Sequence, residues 1–190
     1  MTSPYTVPNL LTGLRIVLIP VIVGLFYLPY GWGDKAAGLL FALAGITDTL
    51  DGYIARRLGQ VSPLGAFLDP VADKLIVATA LVLIVTRNPV WYVTLTAAVI
   101  IGREIAISAL REWMAELGAR HKVAVNVLGK VKTIAQIVGL SMMLYNYDLG
   151  PLPIFRIGLV LTVVAAVLTL WSMVLYLRAA WPELVRRPAA

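Results

Sequence analysis

A chain of 190 residues that is 60% hydrophobic and 14% charged, with a mean hydropathy of +0.87, is no ordinary soluble domain: such domains are nearer half apolar and a quarter charged, and a chain this short cannot hide so much apolar surface inside itself. The same apolar richness excludes disorder, and the absence of cysteine excludes a disulfide scaffold, thiol catalysis and zinc–thiolate sites. The net charge of +6 suits either nucleic-acid binding or membrane topology, and the placement of the charges favours topology.

A membrane-crossing helix takes roughly 20 mostly apolar residues, and six stretches qualify. They are continuous runs, not alternating ones, so they predict helices and not barrel strands. Leu10–Tyr30 comes first, led by Asn9, Thr12 and Arg15 spaced three apart on one face. After the turn residues Gly31-Trp32-Gly33-Asp34 comes Ala36–Ala55, and then Val71–Thr86, which is short and borrows from the segment before it. Beyond Arg87-Asn88-Pro89 lies Val90–Leu110, which carries Arg103 and Glu104 within its apolar run. Charges at that depth are costly unless they face a polar cavity. Leu128–Tyr147 follows, with Asn126, Lys130 and Thr133 as a polar stripe at its start, and Ile154–Leu177 closes the series after Asp148-Leu149-Gly150-Pro151.

Positive residues sort by connection. One set holds Arg56, Arg57, Arg111, Arg120, Lys122, Lys130, Lys132, Arg178, Arg186 and Arg187; the other holds Lys35, Arg87 and Arg156. The crowded side is expected to be cytoplasmic, and an even number of spans puts both termini there. Tyr30, Trp32, Trp91, Tyr92, Tyr145, Tyr147, Tyr176 and Trp181 fall near span ends, where aromatic belts belong. Arg15 already lies within the first apolar run and no small-residue cleavage site follows, so the first span is expected to stay as an anchor. Without repeats or low-complexity tracts, residues 1–190 are expected to form one transmembrane domain. The single histidine, His121, reads as a surface residue.

Four of the six aspartates lie within 26 residues, at Asp48, Asp51, Asp69 and Asp73. On a helical wheel of ~100° per residue, Asp48, Asp51, Gly52 and Ala55 share one face, so the acidic face also carries the small residues that leave room for a visitor. Asp69 and Asp73 share a face if one helix carries both. Pro70 leaves two alternatives: Asp69 caps a helix that starts at Pro70, or Pro70 sits in the first turn of a longer helix, where Gly65 would join the same face. Converging carboxylates with no histidine or thiolate form a hard, all-oxygen donor set that suits Mg²⁺ or Mn²⁺, and such ions usually serve phosphate chemistry. Interfacial ion pairs with Arg56, Arg57 and Lys74 are the plainer explanation, but four acids with intervening glycines favour a metal site.

The pattern Asp48-x-x-Asp51-Gly52-x-x-Ala55-Arg56, eight residues, then Gly65-x-x-x-Asp69-x-x-x-Asp73 resembles the signature of the CDP-alcohol phosphotransferases at every fixed position. Pro8-Asn9-Leu10-Leu11-Thr12-x-x-Arg15, Gly102-Arg103-Glu104, Leu110-Arg111-Glu112 and Gly129-Lys130-Val131-Lys132-Thr133 are similar to the bacterial branch that forms phosphatidylglycerol phosphate. The resemblance implies an all-α integral membrane bundle of six helices, usually a homodimer among membrane lipids, in the bacterial cytoplasmic membrane with its active site open to the cytoplasm. It implies CDP-diacylglycerol as donor, sn-glycerol 3-phosphate as acceptor and CMP as leaving group, with no nucleic-acid partner.

By the same resemblance, Asp48, Asp51, Asp69 and Asp73 are metal ligands for Mg²⁺ or Mn²⁺, two ions in all, and Asp73 is also the base. Asp48, Asp51, Gly52, Ala55, Arg56 and Gly65 would line the nucleotide pocket, while the shared face of Asn9, Thr12 and Arg15 reads either as a helix-entry cap with a snorkelling arginine or as a polar edge of that pocket. The phosphate on the acceptor asks for further cations, and Arg103, Arg111, Lys130 and Lys132 are the candidates. Two rivals stand beside this reading: the same chemistry with phosphatidylglycerol, serine or inositol phosphate as acceptor, and a metal-ion transporter, since intramembrane acids also mark ion paths.

Overall fold

The computed structural model describes residues 7–58, 63–116 and 127–185; within these, the side chains of 7–8, 49–58, 63–64, 66, 127–130, 179 and 182–185 are not described. The described chain is six helices: α1 Val7–Tyr27, α2 Gly33–Leu58, α3 Pro63–Arg87, α4 Trp91–Glu116, α5 Val127–Tyr145 and α6 Ile154–Val185. Each predicted span coincides with one of them. The expected start of the third span moves most, since α3 begins at Pro63 and contains Pro70. Both placements of Pro70 are thereby corrected: it neither opens the helix nor lies in its first turn, although the longer helix of the second alternative is what forms. Proline is well suited to a helix start, where its missing N–H loses nothing, and Pro63 supplies that start. Pro70 then falls two turns in, and Gly65, Asp69 and Asp73, each four apart, lie along one face of a single helix.

By length and composition, α1, α4 and α6 contain candidate membrane spans at Asn9–Tyr27, Trp91–Glu116 and Ile154–Arg178, and α5 contains a shorter apolar stretch, Val131–Tyr145. Charged residues interrupt α2 and α3 because these two helices carry the acidic motif. The outer surface is apolar, with Leu14 and Val17 on α1, Ile105 on α4 and Val160, Val167 and Trp171 on α6 all exposed. A soluble protein rarely leaves such patches bare; a bilayer covers them.

The helices pack as a ring. α1 lies against α2 and α3, α2 against α5, α5 against α6, α6 against α4, and α4 against α3, while α3 also reaches α2 and α5 across the interior. Ile22, Phe41, Ile76, Ile84, Ile100 and Leu140 fill the middle. Lipid tails are as apolar as these side chains, so close backbone approach supplies much of the attraction between membrane helices. At the α5–α6 contact a methyl group added to Gly158 would lie 2.6 Å from the Gly139 carbonyl oxygen, and at α2–α5 one added to Gly45 would lie 2.5 Å from Ile137 Cγ2. Glycine is needed at both.

The ends away from the acidic motif are fastened by short-range chemistry. α5 stops at Asn146, whose φ of 46° is left-handed and whose N–H reaches back to the Met142 carbonyl at 3.2 Å, an αL cap. Asp148 then accepts the Ile154 N–H at 3.1 Å and caps α6. Arg87, in the last turn of α3, pairs with Asp34 in the first turn of α2, donates to the Phe26 carbonyl of α1 at 3.1 Å and lies 4.3 Å over the Phe26 ring. Lys35 sits 3.7 Å over the Tyr147 ring. Of the predicted belt aromatics, Tyr30 stacks on Trp32 and Trp91 meets Tyr92 edge-on. Tyr176 departs from the belt and lines the interior cavity instead.

Candidate active site

The acidic motif assembles at the junction of three helices. α2 brings Asp48, with Asp51 one turn further along its backbone; α3 brings Asp69 and Asp73. What joins them is α1. The Thr12 hydroxyl donates to Asp69 Oδ1. One turn on, Arg15 Nη1 lies 3.0 Å from Asp48 Oδ1 and 2.5 Å from Asp73 Oδ1. Arg15 is 3% exposed, whereas Asp48 and Asp73 are 35% and 44% exposed, so the guanidinium is buried and the carboxylates open outward. The spacing of Thr12 and Arg15 is thus a comb reaching the acids. Asn9 is buried on the same helix. Arg15, 58 positions from Asp73, pairs with both Asp48 and Asp73; the side chains of Arg56 and Arg57, which the plainer ion-pair reading invoked with Lys74, fall outside those described.

A cavity of about 270 Å³ opens from this junction. Asp48 and Asp73 line it from α2 and α3, and Arg103, Glu104 and Arg111 line it from α4. Lys132, Thr133 and Gln136 complete it from α5. Arg103 and Lys132 are 7% and 8% exposed. Buried cations need partners, and theirs are few. Arg103 Nη2 pairs with Glu104 Oε2 at 3.0 Å, while its Nε has no hydrogen-bond partner among the described residues. Among the described residues Lys132 Nζ reaches Ser172 Oγ alone, at 3.5 Å, the outer limit of a hydrogen bond. The basic wall is therefore under-neutralised and fits a multiply charged anion.

Three of the four residues expected to meet an acceptor phosphate, Arg103, Arg111 and Lys132, line this one cavity. Lys130 belongs to α5 and Asp51, Gly52, Ala55 and Arg56 to α2, but their side chains fall outside those described, as do Asn126 and His121 entirely. Gly65 is buried at the start of α3. Among the described residues no three acidic or histidine side chains form a ready-made cage: Asp48 and Asp73 gather about Arg15, and Asp69 is held by Thr12. Sequence reasoning missed Gln136 and Tyr176. Gln136 had a signal, a polar residue four after Lys132 in an apolar run; Tyr176 had none, because an aromatic near a span end has an ordinary explanation in the belt.

A model of the CDP-alcohol phosphatidyltransferase family matches residues 5–174. The chain belongs to that family. It is similar, at 52% identity over 181 residues that cover 95% of this chain and 98% of the relative, to the CDP-diacylglycerol–glycerol-3-phosphate 3-phosphatidyltransferases of Salmonella choleraesuis, Shigella flexneri serotype 5b and Escherichia coli K12. The family match spans all of α1 through α5 and most of α6, so the acidic junction and the basic wall both lie inside it. The chain is accordingly a membrane-bound transferase of phospholipid synthesis.

Proposed function

We propose that the chain transfers the phosphatidyl group of CDP-diacylglycerol to sn-glycerol 3-phosphate, releasing CMP and forming phosphatidylglycerol phosphate. The observation that carries the acceptor choice is the single cavity with carboxylates on two of its walls and under-neutralised cations on the others. The carboxylate walls suit a diphosphate-bound cation, and the cationic walls suit a second phosphate on the acceptor. An uncharged acceptor would leave Arg103 and Lys132 buried without reason.

The donor set fits a hard divalent cation, because every candidate ligand is a carboxylate and oxygens from two helices already converge on one cationic nitrogen. Asp48, Asp51, Asp69 and Asp73 would hold Mg²⁺ or Mn²⁺, two ions in our reading, whose chemistry is to bind the diphosphate oxygens of the donor and offset charge on departing CMP. Gly52, Ala55 and Gly65 leave room for the nucleotide, and Arg56 adds a cation beside it. Arg103, Arg111, Lys130 and Lys132 grip the acceptor phosphate and aim its free primary hydroxyl at the donor. Asp73 accepts the hydroxyl proton as the new oxygen–phosphorus bond forms at the phosphorus that bears diacylglycerol, and the bond to the CMP oxygen breaks. Holding the two substrates together in one site supplies most of the rate.

The reading extends to one catalytic domain spanning residues 1–190, working as a homodimer among membrane lipids in the bacterial cytoplasmic membrane. The charge asymmetry of the connections supports cytoplasmic termini and a cytoplasmic active site. The deciding assay is CMP release by the detergent-purified chain with CDP-diacylglycerol and Mg²⁺. Release that needs glycerol 3-phosphate and is lost in Asp73→Asn supports the proposal. Release with serine or phosphatidylglycerol instead overturns the acceptor, and no release from folded protein with any acceptor overturns the whole reading.

A further inference from the structure

Arg15 is an odd neighbour for metal ligands. A cation beside such a site repels the ion the site is meant to bind, and burying a guanidinium is expensive unless it is well paired. Yet Arg15 is 3% exposed and meets Asp48 and Asp73 with one and the same nitrogen. It comes from α1, whereas the two carboxylates come from α2 and α3, so the contact is made only in the assembled fold. Its neighbour on the comb, Thr12, engages Asp69, so α1 touches each of the three acids of the motif whose side chains are described.

Resting on the metal-site reading above, we infer that Arg15 is a resident counter-cation: it neutralises Asp48 and Asp73 before a divalent ion arrives, and by contending for their oxygens it holds the metal affinity of the site down. Without a cation, these two carboxylates would repel one another across the α2–α3 junction. Arginine suits the post because its charge is permanent and its planar fork can serve two acceptors. An arriving ion must share or take the oxygens that Arg15 holds. Charge pairing thus holds the junction together independently of the ion, and the ion remains exchangeable instead of locked in place.

The test is Mn²⁺ binding, followed by electron paramagnetic resonance on the full chain in detergent without substrates, alongside thermal unfolding with and without Mn²⁺. Arg15→Gln removes the charge and keeps hydrogen-bond donors; Arg15→Lys keeps the charge. Arg15→Gln is expected to bind Mn²⁺ roughly tenfold more tightly, as expected when one unit charge is removed near a dication at a partly screened site. Its unfolding temperature falls without metal and rises further than the wild type on adding it. Arg15→Lys stays within about twofold of the wild type. Equal or weaker Mn²⁺ binding by Arg15→Gln, in a wild type that binds Mn²⁺, overturns the role of Arg15 and leaves the proposed function standing. A wild type that binds no Mn²⁺ overturns both. If Arg15→Gln is recovered folded only with Mn²⁺ present, and not with sodium chloride of equal ionic strength, the inference holds; failure of Mn²⁺ to rescue it counts against the inference.

Discussion

Replacing Lys132 by methionine separates binding from folding, because the two respond in opposite directions. Lys132 is 8% exposed, and its hydrogen bond to Ser172 Oγ is 3.5 Å long, so the folded protein gains little from the ammonium and carries its desolvation. Under the proposed function the acceptor phosphate gains much more. A charged hydrogen bond is worth about 1.5–3 kcal/mol, which at 1.36 kcal/mol per decade is roughly a 10- to 150-fold loss in kcat/KM for glycerol 3-phosphate. Methionine matches the unbranched stem of lysine and fills irregular space, so the unfolding temperature should hold or rise, by about 2–4 °C for each kcal/mol of burial relieved in a chain of this size. The assay is CMP release against glycerol 3-phosphate concentration, with binding of CDP-diacylglycerol measured separately and expected to be unchanged. A KM for glycerol 3-phosphate within about twofold of the wild type, or a folded state clearly weakened by the substitution, would refute the argument.

Thr12→Val removes the hydroxyl that holds Asp69 and should lower kcat/KM about tenfold, the worth of one hydrogen bond to a charged group, with an unchanged helical circular dichroism spectrum. Arg87→Ala unfastens α1, α2 and α3 at the far end; about 1–2 kcal/mol of stability should go, seen as a lower unfolding temperature with turnover at low temperature unaffected. Gly158→Ala drives a methyl group to 2.6 Å from the Gly139 carbonyl and 2.8 Å from Met142 Cβ, so α5 and α6 must part at a cost of about 1–3 kcal/mol, read as reduced recovery of monodisperse protein on gel filtration. Chelation of divalent cations should stop CMP release and Mg²⁺ or Mn²⁺ should restore it, as an all-carboxylate donor set requires.

Helix number and order were legible because lipid imposes a simple demand: each crossing needs a long apolar run, and the breaks between runs contain glycine, proline or asparagine. Part of the acidic motif was legible because spacing along one helix fixes a face: Asp69 and Asp73, four apart, share α3, while the side chain of Asp51 falls outside those described. Arg103 and Glu104 were legible as cavity residues from their cost alone. The start of α3 was not, because Pro63 and Pro70 are both acceptable early helix residues and local preference cannot choose between them. The link from Arg15 to Asp48 and Asp73 was hidden as well, since a lone arginine near a span end has an ordinary reading as a side chain reaching for headgroups, and only tertiary packing brings α1 across the two acids. Tyr176 was misread on the same ground.

The ring order of the helices has a consequence for how such an enzyme can change. α4, which supplies Arg103, Glu104 and Arg111, packs against α3 and α6 and has no backbone contact with α1, α2 or α5 among the described residues. The comb on α1 and the acid it pairs with on α2 therefore make no backbone contact with the helix that carries Arg103 and Arg111, two of the four cations proposed to meet the acceptor; α3 alone joins the acidic junction to it. One wall of the reaction chamber can be rewritten, with different cations or none, while the acidic junction at the other keeps its bonds. A lineage built this way can try new headgroups without relearning how to handle the donor.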